Sequence, residues 1–86
     1  MARKTAQHDR FVEALVGLGA RIVGTSNVGD NTVLTRHDGQ PGFYFVSPWG
    51  ALRVGYSVTE CKSVPAATRS LILLAHEKSR SGADPA

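Results

Sequence analysis

The chain has 86 residues, of which 42% are hydrophobic and 20% charged, with a net charge of +3 and one cysteine, Cys61. This length holds one small domain that buries roughly 60–65% of its unfolded surface and is marginally stable. The composition excludes disorder over most of the chain, the lone cysteine excludes a disulfide scaffold, and the longest apolar run, LILLA, is too short to span a bilayer.

Thr5 is placed to cap a helix, with Asp9 in the first turn, where negative charge suits the helix dipole. Phe11, Leu15 and Leu18 recur at helical spacing, Val12 and Val16 widen the stripe, and Gly19 suits the left-handed residue past the end. The predicted helix covers 6–18. The period then changes. ARIVGTS is short and β-branched and reads as a strand, and NVGDN is a loop of turn formers. NTVLTRH alternates and predicts a strand over 31–37, followed by Asp38-Gly39 as a two-residue hairpin turn. Strands are expected over about 42–47 and 51–59. Ser63 can cap a last helix over 65–80, with Pro65 in its first turn and Val64, Ala67, Leu71, Leu74 and Lys78 as its buried stripe.

The fold class expected is α+β: a single domain, 1–86, with the order helix, four-stranded antiparallel sheet, helix. Both helices should pack mainly on one face of the sheet. Residues 1–4 and 81–86 read as flexible tails. MARKTAQHDR is basic, but no apolar run of signal-peptide length follows it, so the cytoplasm is the expected location.

The stretch FYFVSPWGALRV carries the most detail. Pro48-Trp49-Gly50 fits a type I turn closed by a bulge at glycine, which pairs Val46 with Leu52, Phe45 with Arg53, Tyr44 with Val54 and Phe43 with Gly55. Alternation then places Tyr44, Val46, Leu52, Val54, Tyr56 and Val58 on a continuously apolar face, the expected core. Phe43, Phe45, Arg53, Gly55 and Ser57 fall on the other face. A two-residue Asp38-Gly39 turn adds Val33 to the core face and Thr32, Leu34 and Arg36 to the second. Aromatic rings and arginine together are enriched at binding hot spots. Phe43, Phe45, Arg53, Arg36 and Leu34, with Trp49 at the hairpin tip, are therefore the candidate partner-binding residues. Leu73, on the polar side of the last helix, adds a second copy of this chain as a candidate partner.

No catalytic, cofactor or metal site is expected. Cys61 has no histidine at signature spacing, and His8, His37 and His76 lie on different elements. GLGARIVG follows a helix and leads into a strand, the reverse of a dinucleotide-binding fingerprint. A small non-enzymatic chain that docks on a larger protein or protein complex is the first expectation. An inhibitor, adaptor or accessory factor would fit, including a phage or mobile-element inhibitor of a host defence complex.

Nucleic-acid binding is the alternative. The order helix, strands, helix broadly resembles double-stranded-RNA-binding folds. FVEALVGLGARIVG and VPAATRSLI resemble segments of the HicA toxins, which share that layout and cleave RNA. That family places a glycine and a catalytic histidine at the start of its second strand. GDNTVL has no histidine, so the resemblance implies an RNA-binding layout and carries over no catalytic residue.

Overall fold

The computed structural model describes residues 3–57 and 60–82. Within them the order is α1 (Ala6–Gly17), β1 (Ile22–Thr25), β2 (Thr32–Thr35), β3 (Phe43–Val46), β4 (Leu52–Gly55), β5 (Cys61–Ser63) and α2 (Ala66–Gly82). The strands form one antiparallel meander, β1-β2-β3-β4-β5. The class is the α+β expected, with five strands in place of four. The predicted fourth strand breaks at Gly55, and the chain returns as β5 to pair Gly55 with Cys61 and Arg53 with Ser63. Gly55 allows that tight return, because a Cβ there would collide with the Glu60 carbonyl. The expected positions of Val58 and Thr59, and of the tails at 1–2 and 83–86, lie outside the described residues.

Local chemistry accounts for the start and end of α1. The Thr5 hydroxyl accepts the His8 N–H. At the other end Gly19, at φ +115°, lets the Ala20 N–H reach the Leu15 carbonyl and its own N–H reach Val16. That is the paired closure of a left-handed helix stop. Phe11, Ala14 and Leu15 then face the sheet, and meet Leu34, Tyr44, Val46 and Leu52 in one core, which Val64 and Ile72 complete from the α2 side. Burying each large side chain of this set contributes about 1.5–3 kcal/mol. His8 ties the layers together. It is buried, with Nε2 2.7 Å from the Thr32 hydroxyl and Nδ1 2.9 Å from Asp9.

The stripe expected for α2 differs from the one buried. Ile72 is in the core and Leu73 packs against it, whereas Leu71 and Leu74 are exposed. The helix sits beside α1 rather than squarely over the sheet, so the residues facing α1 are the ones covered. Leu73 is therefore no dimer signal. Ser63 lies in β5 and does not cap α2. His76 falls inside the helix, its ring against Gly17 and its Nε2 3.6 Å from Glu13.

The β2–β3 register also departs from expectation. Asp38-Gly39 is not a two-residue turn. β2 stops at Thr35 and β3 starts at Phe43, so a loop over 36–42 joins them, with Gly39 and Gly42 at φ +74° and +100°. The Asp38 carboxylate accepts from the Gln40 N–H and from Arg36 inside that loop. Thr35 pairs with Phe43 and Leu34 with Tyr44, one residue away from the predicted pairing. A one-residue slip moves every side chain of a strand to the opposite face. Leu34 and Thr32 are therefore inside, and Val33 is outside.

Candidate functional site

The helices cover one face of the sheet and leave the other bare. The ladders place Val33, Phe43, Phe45, Arg53 and Gly55 on the bare face. Val23 joins them from β1, where the register shifts between Ile22 and Gly24 and one extra residue bulges. Tyr56 joins them too, against expectation. The strand ends at Gly55, and the chain bends so that the Tyr56 ring lies beside Gly42 and over the outer hollow. The hollow has Phe45 and Val33 at its floor, Phe43, Tyr56 and Val23 around it, and Thr25, Asn27 and Ser57 at its margin.

Exposure sorts the candidates. Phe43 is 38% exposed and Tyr56 60%, while Phe45 is only 3% exposed. Phe45 lies outside the core shared by the helices, so its own neighbours on the open face shut it in. It shapes the surface as a floor and offers little area itself. Arg53, opposite Phe45, is half-buried. Among the described residues it is the one charged side chain that the strand pairings put on this face. Cys61 sits at its margin, where burial pushes the thiol pKa up and the Arg53 charge opposes that shift. That keeps the thiol protonated and a poor nucleophile.

Two of the expected site residues are not here. Leu34 is fully buried in the helix-side core. Arg36 also points to the helix side, over the Tyr44 ring and paired with Asp38. Both corrections follow from the one-residue change of register, which no feature of RHDGQPGF reveals unless the loop length is known.

Trp49 lies apart from the hollow. The turn has the expected pairing, with the Gly50 N–H donating to the Ser47 carbonyl and Gly50 at φ +91°. Its backbone is clamped to the start of α1. The Thr5 N–H and hydroxyl both reach the Pro48 carbonyl, at 2.8 and 3.2 Å, and Gly50 packs on Gln7. Pro48 and Gly50 are buried, yet the indole between them is 61% exposed. The backbone packs on the helix end and the ring does not. Trp49 stands six residues along the hairpin from Phe43, roughly 15–20 Å at strand rise.

Among the described residues no group of histidine, cysteine and acidic side chains could hold a metal ion, and no helix is long and apolar enough to cross a membrane. No family model, curated protein or solved structure matches this chain.

Proposed function

We propose that this chain is a small non-enzymatic binding protein that docks on a larger protein through the helix-free face of its sheet. The observation that carries this reading is the apolar hollow itself: Phe43, Tyr56 and Val23 stand exposed around a floor of Phe45, in a chain whose helices already cover the other face. An apolar centre with a rim of hydroxyl and amide groups is the anatomy of a protein interface. Trp49, held rigid at a distance, supplies a second anchor at low entropic cost, because its backbone is already fixed.

Charge favours protein over nucleic acid. A nucleic-acid surface needs several lysines or arginines on one face. Among the described residues Arg53 is the one charged side chain that the strand pairings put on the open face, Arg10 lies 3.7 Å from Glu77, and Arg36 lies on the helix side.

The test is capture of the partner from the native host by the tagged chain, with nuclease present, followed by affinity measurement with purified components. The double variant Phe43→Ala/Tyr56→Ala is expected to weaken binding by about 30-fold, the hot-spot scale of about 2 kcal/mol. Its melting temperature should fall by several degrees, because Phe43 is only 38% exposed and both rings help cover Phe45, so binding is measured well below the unfolding transition of the variant. A partner that disappears with nuclease, or an affinity the double variant leaves unchanged, would refute the reading.

A further inference from the structure

The helix side of the sheet carries a second concavity, on the opposite side from the docking hollow. It is a groove of about 320 Å³ between α2 and the loop over 36–42, at the lower end of the roughly 300–1,000 Å³ usual for small-ligand pockets. Its walls are apolar: Leu18, Val54, Val64, Leu71 and Ile72. One end is polar, built by Arg36, His37, Asp38 and Tyr44.

That end is organised. The Arg36 guanidinium carbon stands 5.0 Å from the centre of the Tyr44 ring. The Tyr44 hydroxyl is 2.8 Å from His37 Nδ1, with the two ring planes 10° apart. Burial is the main cause raising the Tyr44 pKa, so the phenol keeps its proton. Burial works against the Arg36 charge, but the bond to Asp38 and the closeness of Tyr44 outweigh it and hold the guanidinium pKa above its ordinary value. Asp38 is held below its ordinary range, since the Gln40 N–H and Arg36 outweigh burial. Arg36 and Asp38 are thus a charged pair at neutral pH. The pair spends little of the arginine. A guanidinium has five N–H donors; Nη2 donates to Asp38 at 3.0 Å and Nε is buried, so an occupant would meet the Nη hydrogens that Asp38 does not use.

The chemistry of an occupant follows. Apolar walls call for an apolar body, and a guanidinium held over a ring can meet the planar fork of a carboxylate. Asp38 would repel a doubly charged phosphate from the same end. We propose that this groove binds a small organic monocarboxylate with an apolar body, its carboxylate on Arg36 and its body along Leu71 and Ile72. Leu71, left 64% exposed on α2, gains cover in that complex.

Phenylbutyrate and its neutral analogue phenylbutanol are the probes, titrated into the isotope-labelled full chain and followed by two-dimensional NMR. The acid is expected to shift resonances of Arg36, His37, Tyr44 and Leu71, and to bind about tenfold or more tighter than the alcohol, the scale of a hydrogen bond to a charged group. Arg36→Gln should remove that difference. Leu71→Ser, at an exposed position that does not threaten the fold, should weaken both probes. Phe43→Ala, on the other face, should change neither, so failure here and failure of the docking surface are separate results. Equal affinity for acid and alcohol, shifts outside the groove, no shift at all, or indifference to Leu71→Ser would each overturn the proposal. Should Arg36→Gln fail to fold, the comparison of acid with alcohol on the wild-type chain decides.

Discussion

Leu34→Ala should destabilise the protein by about 3–5 kcal/mol, while Val33→Ala, one residue away, should cost only about 1 kcal/mol. Leu34 is fully enclosed between α1 and the sheet, so truncation loses apolar burial and leaves a cavity. Val33 lies on the open face and is half-buried. Urea unfolding of the two variants measures the difference. The comparison is sharp because the pair tests the register of β2 rather than hydrophobicity in general. Under a two-residue Asp38-Gly39 turn the order of the two costs would reverse, and that outcome would refute both the β2–β3 pairing and the assignment of the open face. The loss for Leu34→Ala is also large against the total. A domain of this size has only about 5–15 kcal/mol in hand, so the melting temperature should fall by well over 10 °C.

Gly50→Ala should cost about 2–4 kcal/mol, from two independent causes. The residue sits at φ +91°, where a side chain is strained. A Cβ would also overlap Gln7 Cγ and stand 2.6 Å from Gln7 Cβ and 3.0 Å from the Gln7 carbonyl carbon. The last is helix backbone and cannot swing aside. The tip would lift from α1 and loosen the Thr5 contacts to the Pro48 carbonyl. Chemical denaturation gives the size of the loss, and Trp49 fluorescence reports whether the tip has moved. Gly39→Ala is the control. Gly39 also has positive φ, but a Cβ there meets nothing within 4 Å, so it carries the strain without the collision. Equal losses at both glycines would show that the tip is not clamped.

The parts of the fold legible in the sequence are those with a local physical signal. Thr5 and Gly19 mark the two ends of α1 by their own chemistry, and the structure uses both. Pro48-Trp49-Gly50 sets a turn of known length, so all of the β3–β4 pairings follow from it. The unreadable parts depend on distance. Asp38-Gly39 has the composition of a tight turn but lies in a longer loop, where Asp38 is engaged by Arg36 and Gln40. A two-residue turn there shifts the expected register by one residue, which puts Leu34 and Arg36 on the open face, whereas both lie on the helix side. α2 is apolar on more than one side, so periodicity alone could not choose between Leu71 and Ile72. That choice belongs to the position of α1. β5 was hidden because CKS is short and carries no strand-forming pattern, and only the return at Gly55 brings it alongside β4.

The candidate site was legible in the same proportion. The well-marked turn predicts Phe43 and Arg53 on the open face, and both lie there. Alternation predicts Tyr56 inward, and it fails there because the strand stops at Gly55 and the chain bends. The cluster of Arg36, His37 and Tyr44 had no sequence signal beyond adjacency, because the partner ring arrives from the next strand across a loop of uncertain length.

Docking through the helix-free face is tested most directly by site-specific photo-cross-linking in the native host. A photoreactive phenylalanine analogue replaces Phe43 in one sample and Val16, exposed on α1, in another. The expected result is a discrete, nuclease-resistant protein adduct from position 43 and none from position 16. Adducts from both positions alike, an adduct that nuclease removes, or none from position 43 would contradict it.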